Sequence, residues 1–144
     1  MNLVFIAIAC GVVALIYGII TSQQVLRASP GNARMVEVAG AIQEGASAYL
    51  KRQYTAITVV GVVVAALVFF FLGGLSAAAF VIGSVLSGVA GFIGMNISVR
   101  ANVRTAEAAR TSLQNGLTVA FRAGAVTGLL VAGLALLAIA VLFW

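Results

Sequence analysis

The chain has 144 residues, of which 63% are hydrophobic and only 8% charged, with a formal net charge of +5 and a pI near 10.4. A soluble domain carries roughly a quarter of its residues as charges, so this composition excludes an ordinary water-soluble fold and points to lipid as the main solvent. The basic balance does not mark a nucleic-acid binder: all eight Lys and Arg and all three Glu fall within 27–52 and 100–122, with nothing charged elsewhere, whereas nucleic-acid recognition gathers cations on one face among aromatic or polar groups.

The first apolar segment covers about 3–20. A secretory signal over 1–22 would need a basic start, and only Asn2 follows Met1, so a membrane span is the better reading. Cys10 has no second thiol and no His to pair with anywhere in the sequence. It is expected to pack as a small apolar side chain, with no metal role and no intrachain disulfide.

The connection over about 23–54 opens with Ser29-Pro30-Gly31-Asn32, a turn signal in which Pro30 cannot continue a helix and Asn32 can cap the next one. Met35, Val38, Ile42 and Tyr49 then fall at helical spacing, with Arg34, Glu37, Glu44 and Lys51 elsewhere around the helix. This predicts an amphipathic helix able to run straight into the second span, about 56–72. It could contact a partner or the lipid surface; a solvated helix packed on its neighbours is the simpler reading.

Gly73 and Gly74 make a short uncharged turn into the third span, about 75–99, and the connection over about 100–122 reads as more helix, broken at Asn115-Gly116. Arg104 and Glu107 are three residues apart and are expected to meet as a weak surface pair. A phosphate role for Arg100 and Arg104 is conceivable, but anchoring at the basic side of a membrane explains them more simply. The fourth span covers about 123–144.

Each span is long enough for a hydrocarbon core about 30 Å thick, and continuous apolar runs without two-residue alternation select helices over a barrel. The fold class is therefore all-α integral membrane, four transmembrane helices with helical cytoplasmic connections. Short loops rich in Lys and Arg stay cytoplasmic, which places both basic connections inside and both chain ends, the N-terminus included, outside.

Gly83, Ser87 and Gly91 repeat at four-residue spacing in the third span, as do Ala120, Gly124, Gly128, Ala132, Leu136 and Ala140 in the fourth. Such stripes let helix backbones approach closely, so both helices are expected to have close neighbours. The chain has no Asp, and no ionisable side chain lies in the middle of a span, so no ion relay is visible. Glu37 and Glu44 share a face seven residues apart, which any solvated helix provides, and no burial pattern surrounds them that would tune acid–base work. Read from its own residues, the chain shows no catalytic, cofactor-binding or metal-binding residue.

The polar connections carry the most specific signal. Glu44-Gly-Ala-Ser-Ala-Tyr-Leu-Lys-Arg-Gln-Tyr54, Gly94-Met-Asn-Ile-Ser-Val-Arg-Ala-Asn-Val-Arg-Thr-Ala106 and Val119-Ala-Phe-Arg-Ala-Gly-Ala-Val-Thr-Gly128 resemble, in order, the N-terminal region of membrane-bound, ion-translocating pyrophosphatases. The resemblance runs over the whole chain, yet that family is built from about sixteen transmembrane helices, so it implies the first quarter of a longer pump. It further implies a multi-pass protein of a bacterial inner membrane that couples magnesium-dependent pyrophosphate hydrolysis to outward ion transport, as a homodimer.

Family members hold magnesium pyrophosphate on Asp and Lys clusters of later, inner-ring helices, while the first four helices belong to the outer ring. No catalytic residue of the family transfers to a position here, and the fragment alone is expected to be inactive. The stretch Ser98-Val-Arg-Ala-Asn-Val-Arg-Thr105 resembles the proton-pumping, potassium-independent branch. A chain ending at Phe143-Trp144 is expected to be one cut short. Two other classes remain as alternatives. One is a complete small four-helix enzyme of the eicosanoid and glutathione type, which would need polar catalytic residues inside the bundle. The other is a non-enzymatic membrane scaffold or assembly subunit.

Overall fold

A computed structural model describes residues 2–142, and over them the chain is helical: α1 (Asn2–Arg27), α2 (Ala33–Leu72), α3 (Gly74–Thr111) and α4 (Leu113–Leu142). All four are long and apolar enough to cross a membrane. Helix is what lipid dictates, because each backbone N–H and C=O must find its partner within the segment.

The helices outrun the apolar segments that predict them. The amphipathic stretch of the first connection and the second span are one uninterrupted helix of 40 residues, about 60 Å long at 1.5 Å per residue. α3 likewise carries the third span through about half of the second connection in 38 residues. Both therefore reach well past a hydrocarbon layer of about 30 Å.

Three short breaks separate them. After α1, Gly31 takes φ +86° and Asn32 caps α2, its Oδ1 accepting from the Met35 N–H at 3.0 Å. Between α2 and α3 only Gly73 intervenes, at φ +88°, a left-handed conformation that a side chain would strain. The third break differs from the sequence expectation. α3 ends and α4 begins around Ser112, whose N–H donates to the Ala108 carbonyl while its Oγ accepts from the Asn115 N–H at 3.1 Å.

Asn115 and Gly116 thus lie inside the first turn of α4 and break nothing. Ser112 takes the capping role because its hydroxyl can bond a free first-turn N–H. Gly116 is needed for proximity: a Cβ there would sit 2.7 Å from the Cβ of Ala109, where α4 leaves α3.

Neighbouring helices form an open row in the order α2, α3, α4, α1; α1 also touches α3, and α2 touches α3 alone. Val25, Ala101 and Ala123 join α1, α3 and α4 at the charged end, and Ile97, Val126 and Leu130 pack deeper, with Leu15 against them. α1 and α4 approach closely at Gly11 and Gly133, where a Cβ on either would come within 3.0 Å of the other's carbonyl oxygen.

Of the predicted small-residue stripe on α4, Ala120, Gly124, Gly128, Ala132 and Leu136 are exposed and only Ala140 is buried. α4 does have close neighbours, but through its other side. Gly83 also faces open space, while Gly91 stands against Tyr54 of α2.

Candidate functional site at the charged helix ends

Folding brings the two charged stretches together, because the C-terminal ends of α1 and α3 and the N-terminal ends of α2 and α4 share one end of the row. The opposite end, turning at Gly73, carries no charge.

Arg104 organises this end. Its Nε lies 3.2 Å from the Leu26 carbonyl and 3.1 Å from that of Ala28, and one terminal nitrogen donates to Arg100 O at 2.6 Å. The last carbonyls of a helix have no partner in their own helix and sit at the negative end of its dipole, so a guanidinium is well matched to them. Arg104 therefore caps α1 from α3, across 76 and 78 residues of sequence.

The expected Arg104–Glu107 pair is not made. Glu107 instead bonds Arg110 at 2.9 Å, three residues on, because Arg104 is drawn the other way by the α1 carbonyls. Arg110 also lies 4.0 Å from the sulfur of Met35, which ties the start of α2 to the end of α3.

Glu37 pairs with Arg34 at 2.8 Å, both largely exposed, so the interaction stabilises by well under about 1 kcal/mol. Glu44 is exposed on the same helix and forms no pair with Glu37.

Two features of this region were not visible in the sequence. Tyr54 of α2 donates its hydroxyl to the Gly88 carbonyl of α3 at 2.6 Å, and its ring meets Phe92 edge-on, centroids 6.0 Å apart. Gly91 makes room for that hydroxyl, which would lie 3.0 Å from any Cβ added there. Two to three helical turns nearer the charged end, Gln43, Ser47, Asn96 and Arg100 line a cleft of about 100 Å³ between α2 and α3. Arg100 bonds Asn96 there, at 3.1 Å to its Oδ1. No sequence period announces these pairings, since they join positions on two helices whose relative register is fixed only by folding.

The donor set does not fit a magnesium site. A hard dication needs several oxygen ligands converging on one point, whereas Glu37 and Glu107 are taken by arginines and, among the described residues, no three acidic, Cys or His side chains gather. Cys10 is exposed on α1.

Four apolar helices with their charges gathered at one end define a helical membrane protein. Residues 12–144 match the family model described as inorganic H+ pyrophosphatase, and the chain belongs to that family. Its relatives include the K(+)-insensitive pyrophosphate-energized proton pump of Methanosarcina mazei, 50% identical over 94% of this chain and 21% of its own length. The K(+)-insensitive pyrophosphate-energized proton pump 2 of Moorella thermoacetica is 43% identical over 94% of this chain and 20% of its own. A Clostridium tetani protein, named provisionally as a K(+)-stimulated pyrophosphate-energized sodium pump, is 44% identical over 85% of this chain and 18% of its own. The chain spans about a fifth of the length of these curated relatives.

Proposed function

We propose that this chain is the N-terminal, outer-ring portion of a pyrophosphate-energised proton pump, which couples magnesium-pyrophosphate hydrolysis to outward proton transport across a bacterial inner membrane. The observation that carries the reading is the family match over 12–144, on a fold of four helices that can cross a membrane. Proton transport is supported by the 50% identity to the K(+)-insensitive proton pump of Methanosarcina mazei and by the family description, inorganic H+ pyrophosphatase.

In this reading the four helices are scaffold. Hydrolysis, with its magnesium, falls to the remaining helices of the same pump, and the complete protein is a homodimer. The dispersal of the glutamates supports that division, since among the described residues no three acidic, Cys or His side chains gather to hold a hard dication. The exposed face of Ala120, Gly124, Gly128 and Ala132 on α4 is where we place further helices of the pump, because small residues permit close approach. The same face would suit the alternative, a non-enzymatic scaffold or assembly subunit. By the rule that short basic loops stay inside, the charged end is cytoplasmic and the N-terminus outside.

The test compares the complete natural chain with its 144-residue segment. In inverted membrane vesicles the complete chain is expected to hydrolyse pyrophosphate and acidify the lumen; failure to move ions on addition of pyrophosphate overturns the pump reading. Magnesium-dependent hydrolysis by the segment alone, after soluble pyrophosphatase has been excluded, overturns the scaffold assignment. Cysteines placed at Ser47 and Thr111 are expected to label from the cytoplasmic face, and labelling of either from the outer face only reverses the topology.

A further inference from the structure

The cleft between α2 and α3 is built by this chain from both sides. Gln43, Ser47 and Leu50 line it on α2, and Asn96, Val99 and Arg100 on α3. Direct ties bracket it: Tyr54 bonds Gly88 toward the uncharged end, and Met35 meets Arg110 toward the charged end. The spacing of the two helices between those ties is therefore set by their own contacts. Ala46 and Ser47 are short where longer side chains would close the space.

The polar groups around the cleft do not satisfy one another. Gln43 and Asn96 are half-buried, and Leu50 beside them is buried. The Gln43 amide nitrogen donates to the Ala39 carbonyl, and Oε1 is left over as an acceptor. Arg100 uses one terminal nitrogen on the Asn96 carbonyl and Oδ1, which leaves Nε and the other terminal nitrogen able to donate. Among the described residues, no hydrogen bond is made by Ser47 Oγ, and none joins a side chain of α2 to one of α3 across this space.

That mixture selects the occupant. A cation would find no carboxylate in the lining. An oxyanion, which only accepts, would meet Gln43 Oε1, itself an acceptor. A hydrocarbon chain would leave every one of these groups without a partner. Water donates and accepts, and a volume of about 100 Å³ admits about three molecules at about 30 Å³ each.

We propose that this cleft is a structural water site, in which ordered waters bridge Gln43 and Ser47 of α2 to Arg100 of α3. The waters complete the joint between the two direct ties, since a bridging water is nearly as good enthalpically as a direct bond. Nothing in the site depends on the pump chemistry.

The first test is the structure of the complete natural chain at a resolution that shows ordered water. Waters within hydrogen-bonding reach of Gln43, Ser47 and Arg100 are expected; a lipid, an ion or a side chain from elsewhere in the pump in their place overturns the proposal. A double-mutant cycle gives a second reading, by equilibrium unfolding of the same chain in mixed micelles. Gln43→Met and Arg100→Met remove no direct bond between the two residues, yet they are expected to be coupled about threefold or more in the unfolding equilibrium constant, because the same waters serve both. Gln43→Met with Arg122→Met, on α4, is expected to be additive within about twofold. Additivity of the first pair, or equal coupling in the second, overturns the bridge. Inorganic phosphate is expected to leave stability unchanged; stabilisation by phosphate that Arg100→Met abolishes assigns the cleft to an oxyanion and overturns the water site.

Discussion

Replacing Gly11 with alanine is expected to loosen the packing of α1 on α4, while the same replacement at Gly61 leaves the fold as stable or more so. A Cβ at Gly11 would lie 2.8 Å from Cγ of Leu137 and 3.0 Å from the Gly133 carbonyl oxygen. Neither atom is the free end of a flexible side chain, so the two helices must part by a few tenths of an ångström along their contact. Overpacking of this kind costs about 1–3 kcal/mol, offset by about 1 kcal/mol from exchanging a helical glycine for alanine. At Gly61 nothing lies within 4 Å of the added carbon, so only the offset remains. The two variants should therefore differ by about 1–3 kcal/mol. Equilibrium unfolding of the natural chain in mixed micelles, titrated with dodecyl sulfate and followed by circular dichroism, reads that difference directly. Equal stabilities, or Gly11→Ala as the more stable variant, would refute the close approach of α1 and α4.

Arg104→Gln removes the cationic cap from α1 and is expected to destabilise by about 1–2 kcal/mol, with faster amide exchange confined to the last turn of α1; unchanged exchange there would remove its capping role. Ser112→Ala deletes the hydroxyl that bonds the Asn115 N–H and should cost about 1 kcal/mol in the same unfolding assay, whereas Asn115→Ala, which keeps that backbone donor, should be close to neutral. Tyr54→Phe keeps the ring on Phe92 but loses the bond to Gly88, an expected loss of about 0.6 kcal/mol, so a change several times larger would mean that the hydroxyl does more than join α2 to α3.

The spans were legible because each is a long, nearly uncharged apolar run, a signal that survives ignorance of every tertiary contact. The turn at Ser29-Pro30-Gly31-Asn32 was legible for a similarly local reason, since Asn32 caps through a residue three positions away. Errors arose where local and long-range effects compete. Asn115-Gly116 has the composition of a break, yet the serine three residues earlier caps the helix and Gly116 is used to bring α4 against Ala109. Arg104 and Glu107 have the spacing of a pair, yet α1 offers Arg104 stronger acceptors from a distant part of the chain. The four-residue stripe on α4 was real as a pattern and silent about direction. The backbones that meet are at Gly11 and Gly133, and Gly133 lies off that stripe.

The length of α2 and α3 has a mechanical side. Both helices pass without interruption from the uncharged turn to the charged end, and Gly73 alone joins them. Tyr54 on Gly88 and Arg110 on Met35 tie them again along their length, so the pair is a stiff strut of about 60 Å. A displacement applied at the uncharged turn would thus reach the charged end almost undiminished, with no joint along the way to absorb it.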